Sequence, residues 1–494
     1  MSNTVDKKQG VRSGQQYLEG LLDEREVWFR GEKVSNVTKH DHFSRGALTL
    51  ASLIDKQRDA KYQDIVTYKE NENRYGMAFK IPSNESDIIK RGQSFYQWAL
   101  WSNGMLGRTP DYKNASLTAF AASSSFLEEG KKEFGANMVR YYNYIKDHDK
   151  VLTHTLVNPT YSHSQAVSGK YDEKVALHVK KETDSGIIVS GARLLATLGP
   201  YADEIEVFPS SILTASEDNL PFAFAFAIPI STPGLKLICR DSYDENKSHF
   251  DAPLASRFEE MDSVVIFNEV FIPWERVFLY RDPLLCNRAF SDTNAVVHMM
   301  HQVASSKLAK SEFIVGLLCA MAEASGKQKD QRVKEQIAEV MMMTETIRAL
   351  KFSAEQQAEK DKFGNYVPLR RPLDTCRNLF PKLYPRMIEL VQMMGSSSLM
   401  ATPCESDFYG EISGDIEKYF RTENKDSMTR VALFRLAQDI AISGFGNRQV
   451  LYERFFFGPQ PIMASVYYDL YDKGQMRDRV NVLLQQGIQE GSGK

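Results

Sequence analysis

The chain has 494 residues, of which 43% are hydrophobic and 25% are charged, and its formal net charge is −3. This composition is typical of a soluble globular protein with a large core, and the near-neutral charge balance excludes the basic surface of a nucleic-acid-binding protein. The five cysteines lie in no CxxC pair, and the longest apolar run, 313–321, is about half of what a bilayer requires, so we expect a cytoplasmic protein without a membrane segment.

Residues 1–148 are predicted to form a helical N-terminal domain. Ser13 is placed to cap a helix that begins at Gly14, because a serine side chain accepts from N–H groups of the first helical turn. Apolar residues recur at helical spacing over 88–105, and 118–144 is rich in helix-forming residues.

Residues 149–283 change to a strand pattern. Val175, Leu177 and Val179 alternate with other residues, and a turn follows at 184–186. Further short apolar runs lie at 222–230, 235–239 and 264–267. This density of strand and turn signals predicts a small antiparallel β-barrel or sandwich.

Residues 284–494 return to a helical pattern. Asp292 or Thr293 is expected to cap the first helix, and amphipathic stretches follow at 335–360, 379–394 and 428–442. Antiparallel neighbours of this kind form a four-helix bundle. The predicted fold class is therefore α+β, with a helical domain, a β domain and a helical bundle in chain order.

Three residues carry the chemistry of a phenol-binding site. Arg108 and Tyr112 stand four apart, so one helical turn would present both side chains to the same cavity. Arg108 lowers the cost of a phenolate, Tyr112 donates to its oxygen, and His154 can accept the proton near neutral pH. The alternative is a paired arginine, a packed tyrosine and a satisfied histidine.

Three further segments carry polar groups near glycines or turns. Thr197 can hydrogen-bond the edge of a planar heterocycle, or it belongs only to a strand with a tight turn. Ser210 and Ser211 can hold a small carboxylate through backbone N–H groups, or form a polar turn. In 443–461 the glycines permit close backbone approach and Arg448 can meet a phosphate, or the segment is a helix junction with salt bridges.

Several common motifs are missing. The chain contains no GxGxxG fingerprint after a strand, no Walker loop and no GxSxG elbow, so a dinucleotide-binding unit for hydride transfer is not evident. His298 and His301 lie three apart on a predicted helix, but a third metal ligand is not evident. Core or interface histidines are the alternative, and no metal is expected.

Taken together, these segments resemble the oxygenase components of the 4-hydroxyphenylacetate 3-monooxygenase family, which are two-component, reduced-flavin-dependent aromatic hydroxylases. The resemblance runs along nearly the whole chain and is far more specific than any single motif. The matching blocks are 16–18, 31–34, 107–114, 153–154, 158–159, 191–193, 231–235, 257–262, 273–278, 431–437 and 451–456.

The resemblance implies a fold similar to that of the acyl-CoA dehydrogenases and a homotetramer. It also implies FAD, bound as FADH2 that a separate NADH-dependent flavin reductase supplies, and O2 as co-substrate. The expected reaction hydroxylates 4-hydroxyphenylacetate ortho to its hydroxyl and gives a catechol; phenol, chlorophenol and 4-coumarate are alternative substrates. The missing dinucleotide-binding unit is then explained, because the flavin is reduced on another protein.

The resemblance also assigns site residues position by position. Arg108, Tyr112 and His154 look like the residues around the phenol oxygen, and Ser210 and Ser211 like those that hold the substrate carboxylate. The positions assigned to the flavin are His154, Thr160, Tyr161, Ser162, His163, Leu195, Thr197, Arg448, Gln449, Pro459, Gln460 and Pro461. At 160–163 and 459–462 the chain departs from family patterns and lacks a cation that can face the pyrophosphate.

Three other functions share parts of this pattern. A 4-hydroxybutyryl-CoA dehydratase has a similar fold, but its iron–sulfur cluster needs three cysteines and a histidine, and no cysteine lies in the ten residues after His301. An acyl-CoA dehydrogenase needs a glutamate base and a long acyl channel, neither of which the sequence marks. A non-enzymatic helical scaffold is the remaining alternative.

Overall fold

The N-terminal region of the computed structural model combines helices with two short hairpins. The structure describes residues 10–159, 171–209 and 212–492. Ser13 caps the first helix as predicted, since its hydroxyl accepts from the N–H of Gln16 and the Gln16 side chain accepts from the N–H of Ser13. The helices are α1 Gly14–Gly20, α2 Ser44–Asp55, α3 Gln63–Val66, α4 Glu85–Trp101, α5 Pro110–Ala122, α6 Ser124–Leu127 and α7 Lys132–His148, and the strands are β1 Glu26–Phe29, β2 Glu32–Val34, β3 Thr67–Glu70 and β4 Asn73–Gly76.

The helix predicted over 118–144 is in fact divided among three helices. α5 ends at Ala122, the short α6 follows, and α7 begins at Lys132. Gly130 lies in the break before α7, and a glycine inside a helix costs about 1 kcal/mol relative to alanine. The helix predicted over 88–105 is confirmed by α4, which ends at Trp101.

The middle region is built from two β-sheets. Its strands are β5 Leu152–Thr155, β6 His178–Thr183, β7 Gly186–Thr197, β8 Glu204–Val207, β9 Phe224–Pro229, β10 Leu235–Cys239, β11 Asp262–Pro273 and β12 Val277–Tyr280. The larger sheet has the strand order β2-β1-β10-β11-β7-β6, and the smaller one has the order β12-β9-β8-β5. A single turn of helix, α8 Ala255–Phe258, precedes β11.

The prediction of an entirely antiparallel β region is wrong at two strand pairs. β1 comes from the N-terminal region and pairs with β10 in parallel register. β5 and β8 are also parallel, and this pairing places His154 opposite Glu206. Hydrophobic alternation identifies a strand but carries no information about its partner. Among the described residues the strands of this β region group into two sheets, and closure into a barrel is not shown.

The C-terminal region is a helical bundle. Its helices are α9 Pro283–Asp292, α10 Ala295–Ala324, α11 Gln331–Gln356, α12 Arg370–Gly395, α13 Ser397–Met400, α14 Ser413–Tyr419, α15 Ser427–Ala441, α16 Gly444–Phe455, α17 Gln460–Leu470 and α18 Gly474–Ser492. The first long helix, α10, follows Asn294 rather than Asp292 or Thr293, because α9 extends as far as Asp292. A two-stranded hairpin, β13 Glu359–Lys360 and β14 Tyr366–Val367, separates α11 from α12.

Helix α10 joins the bundle to the rest of the molecule. It packs against α11 and α12 of the bundle and against α4 and α5 of the N-terminal region, and most of its residues are buried. A small apolar cluster of Tyr112, Met299 and Val303 lies at the contact with α5. The fold therefore brings the start of α5 together with α10.

The five cysteines are free thiols; three of them are buried, and Cys404 is exposed. Within the described ranges, no helix is both long and apolar enough to cross a membrane. The order of helical, β and helical regions agrees with the sequence, whereas the domain boundaries at 148 and 283 stay predictions.

Candidate active site

The three residues predicted to bind a phenol come from two segments that meet inside the protein. Tyr112 lies in the first turn of α5, and His154 lies on β5. The spacing predicted that Arg108 and Tyr112 share one helical turn, but Arg108 lies before the helix. Thr109 is the N-cap and Pro110 is the first residue of α5. The arginine therefore reaches Tyr112 from the segment that leads into the helix.

The geometry brings all three side chains together. The guanidinium carbon of Arg108 lies 4.3 Å from the ring centroid of Tyr112 and 4.4 Å from that of Phe456. The ring centroids of Tyr112 and His154 are 6.0 Å apart. Arg108 thus contacts two aromatic rings, and the imidazole lies beside one of them.

Two residues to which the sequence assigned no role hold Arg108 in place. Its backbone N–H donates to Oε1 of Glu260 over 2.7 Å, and its Nη1 donates to the hydroxyl of Tyr452 over 2.9 Å. A Cβ atom at Gly107 would lie 2.3 Å from the Tyr452 hydroxyl oxygen, so this close approach requires glycine. No local sequence signal could have paired Arg108 with a residue of α16.

His154 is arranged as a neutral base. It is buried, and Lys113 and Glu206 form a buried ion pair close to it, with Nζ 2.6 Å from Oε2. Burial, with the charges of Lys113 and Arg108, holds the pKa of His154 well below its usual value near 6.5. An unprotonated imidazole can accept the proton of a bound phenol.

Tyr112 is arranged as a hydrogen-bond donor. Burial raises the pKa of its hydroxyl, and the nearby Arg108 opposes this shift. The hydroxyl of Tyr112 therefore keeps its proton at neutral pH and can donate a hydrogen bond to an oxygen anion. Two donors, Arg108 and Tyr112, and one acceptor, His154, are the groups that a phenol oxygen needs during ionisation.

A lysine from the bundle adds a further cation beside this site. Nζ of Lys307 lies 5.0 Å from the ring centroid of Phe456 and 5.2 Å from that of Tyr452. Burial lowers the pKa of Lys307 to about 8, although its ion pair with Glu453 opposes the shift. Both rings also contact Arg108, so Lys307 lies near the site, while Glu453 balances its charge.

Thr197 and Arg448, both assigned to the flavin, meet at one carboxylate. The Thr197 hydroxyl donates to Oδ1 of Asp262 over 2.8 Å. Arg448 donates to both oxygens of Asp262 and to Oε2 of Glu260. The charge of Arg448 is therefore balanced by protein carboxylates, and its contact with a phosphate stays a prediction. The Thr197 oxygen can still accept a hydrogen bond from a ligand.

The remaining positions assigned to the flavin differ in burial and in the elements on which they lie. Gln449 is buried and bonded to Lys310 and to the carbonyl of Met105. Leu195 is 57% exposed on β7 and has a positive φ of 64°. α17 begins at Gln460, which is partly exposed, and its N-cap Pro459 and second residue Pro461 are exposed. Four flavin positions lie outside the described residues: Thr160, Tyr161, Ser162 and His163. The two positions assigned to the substrate carboxylate, Ser210 and Ser211, also lie outside them.

The residues around His154 fit a planar cofactor with polar edges. Val157 and Leu195 are apolar side chains that are about half exposed, and an isolated bridge that pairs Val157 with Leu194 holds their segments side by side. Nε of Arg108 and Oδ1 of Asn158 are buried without a hydrogen-bond partner among the described residues. Exposed apolar side chains suit the face of a flavin ring, and unpaired polar atoms suit its edges.

The two histidines considered for a metal point to different partners. Nδ1 of His298 lies 3.3 Å from Nη1 of Arg91, whereas Nε2 of His301 lies 2.7 Å from Oε1 of Glu355. Both histidines are buried in the core. In the part of the chain that the structure describes, no group of three or more His, Cys, Asp or Glu residues could hold a metal ion.

Comparison with known proteins covers nearly the whole chain. The model of the family described as 4-hydroxyphenylacetate 3-hydroxylase matches with its N-terminal part at residues 13–279 and with its C-terminal part at residues 286–485. A 4-hydroxyphenylacetate 3-monooxygenase oxygenase component from Thermus thermophilus is 42% identical over 97% of this chain and 98% of its own length. One from Geobacillus sp. is 41% identical over 97% of each chain.

Solved structures agree with these matches. A crystal structure of a 4-hydroxyphenylacetate 3-monooxygenase oxygenase component, complexed with FAD and 4-hydroxyphenylacetate, has a TM-score of 0.93 and 42% identity and covers 97% of this chain and 99% of that chain. An archaeal 4-hydroxybutyryl-CoA dehydratase has a TM-score of 0.86 at 18% identity, covering 96% of this chain and 95% of that one, and shares the fold alone. The predicted fold class is confirmed.

Proposed function

The chain belongs to the 4-hydroxyphenylacetate 3-hydroxylase family, and we propose that it is the oxygenase component of a two-component monooxygenase. With FADH2 and O2 it hydroxylates 4-hydroxyphenylacetate ortho to the phenolic hydroxyl and gives a catechol. The observation that carries this proposal is the convergence of Arg108, Tyr112 and His154 in one site, where Tyr112 and His154 are buried and Arg108 is partly buried. The solved relative that was crystallised with FAD and 4-hydroxyphenylacetate supports it.

Each of the three residues has a distinct task. His154 takes the proton of the phenol, because its own pKa is held low enough for the imidazole to be free. Arg108 and Tyr112 donate to the resulting phenolate oxygen and stabilise its charge. An ionised phenol is far more nucleophilic at the ortho carbon than a neutral one. When bound, FADH2 supplies the two electrons that the reaction needs, so that one oxygen atom of O2 becomes the ring hydroxyl and the other becomes water.

The chain's own residues would hold the flavin from the β region. Val157 and Leu195 offer the apolar surface, and Thr197 and Asn158 offer acceptors for ring N–H groups. The segments 160–163 and 459–461 are assigned to the rest of the cofactor by resemblance. Because both lack an arginine or lysine, we expect FADH2 to be held with fewer ionic contacts to its pyrophosphate.

Two partners belong to this function. A separate flavin reductase, which we expect to use NADH, must supply FADH2. The second partner is the chain itself, as a homotetramer. In its support, α18 carries apolar side chains that are more than half exposed on the single chain, and apolar surface of this kind favours association. They are Met476, Val480, Val482, Leu483 and Leu484.

A substrate panel tests the proposed function. The purified protein receives FADH2 from any flavin reductase, in air, with 4-hydroxyphenylacetate, phenol, 4-chlorophenol or 4-coumarate. Catechol formed and H2O2 released are measured together, because uncoupled flavin oxidation gives only H2O2. We expect the highest ratio of catechol to H2O2 with 4-hydroxyphenylacetate. Failure to form a catechol from any of these phenols would exclude the proposal.

A further inference from the structure

A short connecting segment, residues 102–109, carries Arg108 to the phenol site. It joins α4, which ends at Trp101, to α5, which begins at Pro110. Its residues form turns and irregular backbone rather than a helix or a strand. Backbone groups in such a segment need hydrogen-bond partners from other parts of the protein when they are buried. The position of Arg108 therefore depends on the residues that hold this backbone.

Gln449 of α16 holds the connecting segment at Met105. Its Nε2 donates to the Met105 carbonyl over 2.9 Å, and its Oε1 accepts from Nζ of Lys310 over 2.8 Å. Gln449 is 1% exposed, and Met105 and Lys310 are also buried. Without the amide, the buried Met105 carbonyl would lose this donor in an interior where hydrogen bonds are strong. Gln449 thus ties the connecting segment to both α16 and α10.

Gly104 shows how closely the connecting segment lies against α10. Its φ is 69°, in the left-handed region that glycine adopts readily. A Cβ atom at this position would lie 2.7 Å from Cβ of Lys310 and 2.7 Å from the carbonyl oxygen of Ser306. The backbone therefore rests directly on α10 one residue before Met105. The Gln449 contact fixes a segment that is already packed, so it sets the register of that segment.

Gln449 and Tyr452 hold the connecting segment from one face of α16. Residues three apart in a helix share a face and are separated by about 4.5 Å along the axis. Their partners, Met105 and Arg108, are also three apart in the chain. Phe456, one further turn along the helix, contacts the same guanidinium. Helix α16 therefore grips the connecting segment at two points, and Gln449 is the point that does not touch Arg108 itself.

We propose that Gln449 is a positioning residue for hydroxylation. Through the Met105 carbonyl it sets the register of the connecting segment against α16, and so places the Arg108 guanidinium at the phenolate oxygen. This inference rests on the proposed function, because it assumes that Arg108 stabilises a phenolate. The resemblance assigned Gln449 to the flavin, whereas its amide contacts the groups that carry Arg108. A displacement of about 1 Å in a catalytic group can cost about 100-fold in rate.

Two substitutions at Gln449 test the inference. As a carboxylate, Gln449→Glu keeps the shape and still accepts from Lys310, but it cannot donate to the Met105 carbonyl; Gln449→Met loses both contacts. With 4-hydroxyphenylacetate, and FADH2 from a flavin reductase, we would measure kcat, KM, catechol, H2O2 and the Kd for FADH2. In both variants kcat for hydroxylation should fall about tenfold and the share of H2O2 should rise. KM and the Kd for FADH2 should change by less than about twofold, because Arg108 acts on an anion that forms after binding.

Gln438 of α15 provides a matched control. Its Nε2 donates to the Leu399 carbonyl over 2.9 Å, and its Oε1 accepts from Arg435 over 3.0 Å. Gln438→Glu therefore removes the same kind of contact in another part of the bundle, and it should keep the wild-type kcat and coupling.

A double variant separates positioning from a general structural role. Because Gln449 acts through Arg108, adding Gln449→Glu to Arg108→Met should lower kcat by less than about a further twofold. A residue that only supports the fold would lower kcat in both backgrounds.

Four results would overturn the inference. They are wild-type kcat and coupling in a folded Gln449 variant, a loss confined to FADH2 affinity, an equal loss in Gln438→Glu, and a further large fall in the double variant. Gln449→Glu and Gln449→Met are assayed independently, so one folded variant suffices. If the wild-type protein itself forms no catechol from 4-hydroxyphenylacetate, the proposed function fails instead.

Discussion

Arg108 donates a hydrogen bond from Nη1 to the hydroxyl of Tyr452 over 2.9 Å, although 344 residues separate the two in sequence. The same guanidinium lies 5.5 Å from the Tyr452 ring centroid. Tyr452 is itself in close contact with Gly107, the residue before the arginine. A residue of the C-terminal bundle therefore orients the cation that the N-terminal region supplies to the phenol site.

Replacing Tyr452 with phenylalanine should loosen Arg108 without removing the aromatic packing. A hydrogen bond to a charged group contributes about 1.5–3 kcal/mol, so we expect kcat/KM for hydroxylation to fall roughly 10- to 100-fold. The Kd for FADH2 should change little, because Tyr452 is not among the residues expected to contact the flavin. Tyr467→Phe, which also removes a hydroxyl contact in the bundle, is the control and should keep full activity. Equal losses in both variants would contradict a specific role for Tyr452.

The pH dependence of the reaction should reflect His154. Because burial, Lys113 and Arg108 hold the His154 pKa well below 6.5, the acid limb of kcat/KM should lie below pH 6.5. Lys113→Met removes one of these cations, so the limb should move to higher pH. Lys113→Arg keeps the charge and should leave the limb in place. An unmoved limb in Lys113→Met would show that another group titrates.

We expect replacement of Arg448 to lower the free energy of unfolding more than it lowers the affinity for FADH2. Arg448→Met breaks a buried ion pair and leaves Asp262 and Glu260 without this cation, which costs about 3–5 kcal/mol in free energy of unfolding. Burial raises the pKa of Asp262, but Arg448 and Arg240 outweigh it and bring the pKa to about 2. This contribution to stability is present above about pH 4 and is lost as the pH falls towards about 2.

Acid unfolding of Arg448→Met should therefore begin at a higher pH than that of the wild-type protein. Calorimetry at neutral pH and circular dichroism during acid titration measure both effects. Arg448→Lys, which keeps a charge but loses the bidentate geometry, should lie between the two. A variant that keeps wild-type stability and loses only FADH2 affinity would instead support a direct contact between Arg448 and the cofactor.

The exposed apolar side chains of α18 should hold the assembly together. Leu483→Glu combined with Leu484→Glu places two charges where a second chain is expected to pack, so the homotetramer should dissociate. Light scattering after gel filtration measures the mass directly. Gln485→Glu adds a charge at a neighbouring position and should keep the assembly intact. A wild-type mass equal to that of a single chain would exclude the homotetramer.

Local signals predicted most of the elements but not their partners. The cap at Ser13 and the helix over 88–105 follow from spacing and side-chain chemistry alone, and both are confirmed. The parallel pairing of β1 with β10 places Val27 opposite Leu237, although the two residues lie far apart in the sequence. Local hydrophobic patterns do not show which strands pair over such a distance. The antiparallel prediction was wrong for this reason.

The sequence likewise predicts some residues of the candidate site but not the residues that support them. Arg108, Tyr112 and His154 could be chosen from their chemistry, and the structure brings them together. Their supports, Tyr452 and Glu260, could not be chosen, because a tyrosine in a helix and a glutamate before a strand are ordinary residues until tertiary contacts place them. A sequence likewise does not show which carboxylates a buried arginine will meet, so the ion pairs made by the arginine of α16 could not be predicted.

The most direct test of the central claim is the coupling of flavin oxidation to product in His154→Ala and Arg108→Ala. For each protein, the catechol formed is divided by the FADH2 oxidised, and the Kd for FADH2 is measured in parallel. We predict that both variants lose hydroxylation far more than FADH2 affinity and release most of the consumed O2 as H2O2. Wild-type coupling in both variants would contradict the assignment of these residues to the ionisation of the phenol.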